Sequence, residues 1–349
     1  MPSRSAPRST PRHISVVAVA NSTASTLFGI YDVLTYVERQ SLASTGSAAF
    51  HVEIVGEEKQ PLALASGVTV EVQRAIETID SSDILIVPSV YFGPDGWQTG
   101  RYPKVIDWIG KMHKQGAILC SACQGLFLLA ETGLFDGRDS TVHYNAAEIF
   151  AATYPAVSIH PERVLMISGV REELVSSGAS VAWHDLVLHL ISRFAGSAAA
   201  RDAARMYALQ WHHEGFTPYI VFDGRIGHGD AVIESAQQWL NTHFSVASPV
   251  DLMLKRSKLA ERTFKRRFVI ATGLTPITYV QRLRNEDAKK RLERTDAPVD
   301  EISWRVGYED PAFFRRLFKR TTGLAPGAYR KRFRIPDFRR PAAQSSRSA

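Results

Sequence analysis

Cysteine is nearly absent: the 349-residue chain has two, Cys120 and Cys123, both in one apolar run. Thiols this close cannot staple distant segments. A secreted domain held by a disulfide framework is therefore excluded, and the usage fits a reducing cytoplasm. No run of about 18 apolar residues exists, so neither a membrane span nor a membrane partner is expected. Arginines at 4, 8 and 12 followed by Ile14 to Ala20 have a superficial likeness to a signal peptide. That run is short and continues as patterned sequence, so residues 1–12 read as a disordered arm, matched by a disordered tail over 336–349. Metal-ligand spacing is lacking too: His212-His213-Glu214 has no further ligands spaced with it and reads as polar linker, so no metal and no cofactor are expected.

What is abundant is basic charge, and it is concentrated. Residues 251–335 hold 22 Lys and Arg against 10 Asp and Glu, a net of +12, while the remainder carries 20 against 25, a net of −5. A basic module on an acidic body implies that one segment meets a polyanion while the other does something else. The length predicts two domains, each with its own core.

Within the basic module, residues 302–330 spell a helix, a glycine turn and a second, amphipathic helix. Gly307 supplies the left-handed turn residue, Asp310 caps the next helix and Pro311 occupies its first position. Phe314, Leu317 and Phe318 then repeat at helical spacing toward a core, with Arg315, Arg316 and Lys319 on the other side. Residues 252–273 repeat the pattern, with Leu259, Phe264 and Phe268 inward and Arg262, Lys265 and Arg266 outward. Between the two units a helix starts at Thr275-Pro276 and is expected to carry Ile277, Val280, Leu283, Ala288 and Leu292 inward, with Glu286–Lys290 and Asp287–Arg291 pairs along it.

This arrangement, including the closing Gly323-Leu-Ala-Pro-Gly-Ala-Tyr-Arg330, resembles the DNA-binding domain of the AraC/XylS family of bacterial transcription regulators, two helix-turn-helix units on one linker helix. The resemblance implies base contacts from Arg262, Lys265 and Arg266 on the first recognition helix and from Ala312, Arg315 and Arg316 on the second. It also implies phosphate contacts from Arg256, Lys319, Arg320 and Arg330. The two helices would enter successive major grooves about 34 Å apart.

The first two thirds alternate apolar runs (14–20, 52–55, 84–87, 117–121, 164–168) with helical patterns (25–39, 102–114, 124–132, 182–194), the signature of a doubly wound, flavodoxin-like α/β sheet over 13–195. Residues 196–229 read as a linker, flexible at 196–200, ahead of an all-α domain over 230–335. In the α/β part a strand runs into Cys123-Gln124-Gly125 and a helix follows. Such a turn exposes its central side chain to a helix N-terminus, which is expected to lower a thiol's pKa. Gly133 ends that helix, and a short strand is expected to deliver His143. Ligands of open α/β sheets bind beyond the carboxyl ends of strands, here at Asn21-Ser22, Ser89-Val90-Tyr91 and Cys123-Gln124. Cys123 itself is open to three readings: a packing residue, a ligand-contacting or redox-responsive thiol, or a nucleophile. Cys120 reads as core.

The stretch from Ala117 to His143 resembles the PfpI-like branch of the class I glutamine amidotransferase-like superfamily, over about residues 13–195. Joined to the basic module, and with Ser176 to His189 matching a further motif, the whole resembles the GlxA-type transcription regulators. Peptidase-like relatives place a histidine after the elbow cysteine, where Gln124 stands, and a glutamate on the first helix, where Thr26 aligns. No base is placed for nucleophilic catalysis, so the chain is not expected to be an enzyme. The resemblance implies a cytoplasmic, homodimeric regulator of double-stranded DNA, with RNA polymerase as a partner should it activate. A small-molecule effector would be held by Ser22, Ser89, Tyr91, Cys123, Gln124 and His143. The rival readings are a cysteine-dependent hydrolase or hydratase with a DNA-binding tail, and a purely architectural DNA binder, which would need no pocketed domain.

Overall fold

The computed structural model describes residues 10–93, 96–224 and 226–335. The expected tail, and all but the last three residues of the expected arm, lie outside the described residues. Arg12 already opens a strand. The chain divides into two compact units, Met1–Phe216 and Thr217–Ala349.

The first unit runs β1 (Arg12–Val17), α1 (Ala24–Thr45), β2 (Phe50–Gly56), β3 (Pro61–Ala63), β4 (Thr69–Glu71), β5 (Arg74–Ala75), β6 (Ile84–Val87), α2 (Pro103–Lys114), β7 (Ile118–Ala122), α3 (Leu126–Ala130), β8 (Asp139–Ser140), α4 (Ala147–Thr153), β9 (Ser158–Ile159), β10 (Leu165–Ser168), β11 (Leu174–Ser177), α5 (Trp183–Phe194) and α6 (Ser197–Met206). Among the described residues seven strands form one sheet in the order β10-β11-β7-β6-β1-β2-β5, parallel except for the antiparallel edge β10. Central strands such as β6 are buried on both faces, which is why they read as unbroken apolar runs. On one face Leu27, Ile30 and Val33 of α1 pack with Leu186 and Leu190 of α5. On the other, Trp108 and Ile109 of α2 pack with Leu126 and Phe127 of α3. The doubly wound architecture is as expected.

β11 was not foreseen: half of Leu174-Val-Ser-Ser177 is serine, yet all four residues are buried between β10 and β7. The expected flexible stretch at 196–200 is also corrected. It enters helix α6, whose Ala200 and Ala203 are small enough to bury against the α1–α5 face. His212, read as polar linker, docks on Asp185 instead, through its N–H (2.9 Å) and its ring (2.6 Å).

The second unit runs α7 (Ala231–His243), α8 (Pro249–Ser257), α9 (Glu261–Thr272), α10 (Pro276–Arg294), α11 (Val299–Arg305), α12 (Pro311–Thr322) and α13 (Pro326–Phe333). It has two cores. Phe264 and Phe268 of α9 pack with Ile233, Leu240, Met253, Tyr279 and Val280. Phe314, Leu317 and Phe318 of α12 pack with Ala288, Leu292, Ile302 and Tyr329. Helix α10 belongs to both.

Two expectations for α10 need correction. Ile277 is 54% exposed, because the inward side at that turn is taken by Pro276, Tyr279 and Val280. Glu286 pairs with Lys289 (2.8 Å) rather than Lys290, since Lys289 is the buried lysine and also donates to the Ile220 carbonyl at 2.7 Å. Asp287 and Arg291 do pair, at 2.7 Å.

Candidate DNA interface and candidate effector pocket

In the second helix-turn-helix unit each local signal has its structural counterpart. Gly307 has φ +95, and a Cβ there would lie 2.5 Å from the Ser245 carbonyl, so glycine is required twice over. Asp310 accepts a hydrogen bond from the Ala312 N–H at 2.8 Å, and Pro311 opens α12. Phe314, Leu317 and Phe318 are buried, whereas Ala312, Arg315, Arg316, Lys319 and Arg320 are exposed. Arg315 pairs with Asp300 of α11.

The first unit has the same plan with weaker joints. Lys258 takes the left-handed conformation at φ +54, ψ 18, and Ala260 stands at the cap of α9 with no side-chain hydrogen bond. Arg262, Lys265 and Arg266 are exposed on α9, with Lys265 paired to Glu261. Arg256 at the end of α8 is exposed and stacks over the Trp239 ring at 5.5 Å. Arg330 differs from the other cations: it is half-buried on α13 and donates to the Ala297 carbonyl at 2.5 Å.

Sequence reasoning missed Arg284. It sits mid-way along α10 and donates to three backbone carbonyls, Phe244 (2.8 Å), Gly307 (2.7 Å) and Val246 (3.0 Å). Its guanidinium lies 5.0 Å from the centroid of Tyr308. Burial, opposed by Tyr308, lowers its pKa, and burial raises that of Tyr308 to about 12. A lone arginine on a predicted helix carries no signal distinguishing such a clamp from a solvated cation.

In the α/β unit Cys123 stands between β7 and α3 with φ +57, the strained left-handed elbow the turn predicts. Gly125 permits it, because a Cβ there would fall 2.4 Å from the Val87 carbonyl. The thiol is buried, however, and that burial pushes its pKa up despite hydrogen bonds from Ser89 and Ser180. This corrects the expected lowering: the helix N-terminus is outweighed by lost hydration. Ser180, whose Oγ lies 3.6 Å from Sγ, is a contact not foreseen, although it falls inside the serine-rich stretch beginning at Ser176. Cys120 is fully buried, and burial raises its pKa as well.

Around this elbow Ser22, Ser89 and Tyr91 do meet: the Thr23 N–H donates to the Ser89 carbonyl, Ser22 bridges Val90, and the Tyr91 N–H donates to Asn21. Asn21 fastens the rim by donating to the Tyr91 carbonyl (2.6 Å) and accepting from the Tyr102 hydroxyl (2.5 Å). Gln124 is half-buried beside the thiol. His143 is held otherwise. No strand delivers it: β8 ends at Ser140, and the His143 Nδ1 accepts from the Asn145 N–H at 3.1 Å, capping a short turn. Burial lowers its pKa.

A cavity of about 290 Å³ opens beside this rim, beyond the carboxyl ends of β1 and β2. Val19, Leu62, Val72 and Val105 give it apolar walls, and Glu57, Glu58 and Tyr102 give it polar ones. None of the six expected pocket residues lines it. The sequence pattern places strand ends, but which crevice stays open depends on side-chain volumes.

Residues 253–332 match the family model of a helix-turn-helix domain, and residues 25–181 match that of the DJ-1/PfpI family. The HTH-type transcriptional regulator CdhR of Pseudomonas aeruginosa is 26% identical over 274 residues, covering 76% of this chain and 77% of its own length. The HTH-type transcriptional regulator GlxA of Rhizobium meliloti is 24% identical over 225 residues, covering 64% and 68%. Among solved structures, a candidate transcriptional regulator from Vibrio parahaemolyticus superimposes with a TM-score of 0.50 at 18% identity, over 56% of this chain and 99% of that one, a likeness of fold alone.

Proposed function

Because the chain is a transcription regulator in which a DJ-1/PfpI domain is followed by an AraC-type helix-turn-helix domain, we propose that α9 and α12 are its recognition helices and that they lie in successive major grooves on one face of the operator. Arg262, Lys265 and Arg266 contact bases from α9, and Ala312, Arg315 and Arg316 from α12. Lys265 and Arg315 must release Glu261 and Asp300 to do so. Arginine can grip guanine through two parallel hydrogen bonds, and Ala312 can pack on a thymine methyl. Arg256, Lys319 and Arg320 grip phosphates. Arg330 is assigned to the phosphate end of α13, with its guanidinium anchored on Ala297. The observation that carries this reading is α12 itself, an Asp310-capped helix with five neighbouring outward positions exposed over a buried aromatic stripe.

The α/β unit is assigned to a small-molecule effector, bound at the rim of Ser22, Ser89, Tyr91, Cys123, Gln124 and His143 and extending into the adjoining cavity. Homodimerisation, cytoplasmic residence and, where the outcome is activation, contact with RNA polymerase complete the proposal. The hydrolase or hydratase reading gains no support from Cys123, whose thiol is buried and protonated at neutral pH and whose side-chain partners are serines. Selection of bound sequences from a random DNA pool, followed by footprinting, tests the proposal. Two protected major grooves on one face support it, and no enriched sequence overturns it.

A further inference from the structure

Toward the amino ends of β1 and β2, at the end of the sheet opposite the elbow, two histidines and a carboxylate converge. His13 and His51 are register partners on adjacent parallel strands, and Glu53 follows His51 on the same face. One ligand atom from each of the three lies within 4.8 Å of the others. His13 Nε2 is 2.8 Å from Glu53 Oε2, and His51 Nε2 is 3.8 Å from Glu53 Oε1.

The outer nitrogens also face oxygen. His13 Nδ1 lies 3.3 Å from the Ser81 carbonyl, and His51 Nδ1 lies 3.5 Å from Glu38 of α1. A neutral imidazole has one N–H, so a ring that gives Nδ1–H to its outer oxygen turns a bare lone pair at Nε2 toward a carboxylate that can only accept. His13 meets that conflict at a carboxylate that His51 Nε2 also faces, at 3.8 Å. A cation between them resolves it, either a proton or a metal ion. Histidines that ligate metals characteristically hold the outer N–H on a backbone carbonyl or a carboxylate, which is what Ser81 and Glu38 provide.

We propose that His13, His51 and Glu53 bind a divalent first-row metal ion of the class that favours imidazole with carboxylate, such as Zn(II), with water completing the coordination. All three ligands stand on two hydrogen-bonded neighbouring strands, so little backbone order has to be created on binding. Arg74 opposes it. Its Nη1 lies 3.2 Å from the same Glu53 oxygen, although its Nη2 has a second anchor on the Thr78 carbonyl. The site is therefore expected to be of micromolar rather than nanomolar affinity.

Calorimetric titration of the full chain, free of any polyhistidine tag, with Zn(II) alone at pH 7.5 tests the assignment, with Co(II) absorption reporting imidazole coordination. The expected result is one site per chain, weakened at least tenfold by His51→Gln and by Glu53→Gln and tightened severalfold by Arg74→Gln. His51 is largely exposed, so His51→Gln keeps the test valid even if Glu53→Gln folds poorly. Tightening in Arg74→Gln cannot come from a damaged fold. No binding at millimolar Zn(II), binding unchanged in His51→Gln, or weakening in Arg74→Gln would overturn the proposal.

Discussion

Arg284 ties Gly307 to the loop after α7: one guanidinium donates to the Gly307 carbonyl at 2.7 Å and to the Phe244 and Val246 carbonyls at 2.8 and 3.0 Å. The bonds run from the helix shared by both helix-turn-helix units to the turn of the second and to the segment leading into the first. Lysine cannot reproduce that planar fork. Arg284→Lys should cost about 1 to 3 kcal/mol of stability. It should also broaden the tolerated spacing between the two halves of the operator, which a stability loss alone would not do. Binding to operators with one or two base pairs inserted measures this, and an unchanged spacing preference would count against the clamp.

Affinity for DNA should depend steeply on salt. With roughly 5 to 8 phosphate contacts, log affinity should fall against log salt with a slope of about −4 to −7. Arg266→Ala and Arg316→Ala should each cost about 1 to 3 kcal/mol and relax sequence preference at one position. Equal weakening for every DNA sequence would mark them as phosphate contacts instead.

Helix α9 should be less stable than α12. Lys258 holds φ +54, where a side chain is strained, and Ala260 leaves the first N–H groups of α9 without a side-chain cap. Lys258→Gly with Ala260→Ser should therefore stabilise the unit by about 1 to 3 kcal/mol. A rise in melting temperature and slower amide exchange in α9 are the expected readings, and no change in either would contradict the assignment.

Cys123 should react slowly with alkylating agents at neutral pH. Burial raises its pKa above the ordinary thiol value, so the thiolate is scarce at pH 7. Linkage gives the sign for stability: above the unfolded thiol's pKa the unfolded chain ionises while the folded one keeps its proton, so this group lowers stability as pH rises past about 8.5. Cys123→Ser should leave effector-free DNA binding intact and flatten that alkaline decline. Alkylation at the rate of a small free thiol would refute the burial argument.

Local chemistry made most of this structure legible. The caps, prolines and glycines around α12, the cysteine elbow and the apolar central strands are each specified by residues within a few positions, so sequence reading found them. β11 escaped because its serines are buried through tertiary pairing, and α6 because small residues look flexible until a partner helix covers them. Arg284, Ser180 and the cavity walled by Glu57 and Tyr102 are defined by residues far apart in the chain, where periodicity is silent. Ile277 left the expected inward side, and Lys289 instead of Lys290 took Glu286, because Tyr279 and the Ile220 carbonyl set the rotation of α10.

Helix α10 gives the DNA-binding unit a waist. Its first half is buried in one core through Tyr279 and Val280, its second in the other through Ala288 and Leu292. Between them lie Arg284 and the buried Asn285, whose side-chain nitrogen and oxygen have no hydrogen-bond partner among the described residues. Two separate cores, bridged otherwise by the Arg284 bonds, can lose order one at a time. A lesion such as Phe264→Ala would then leave a chain that still holds the α12 half of its operator. In a cell such a chain would compete with the intact regulator for the site, so damage to one lobe would be dominant where loss of the whole unit would be recessive.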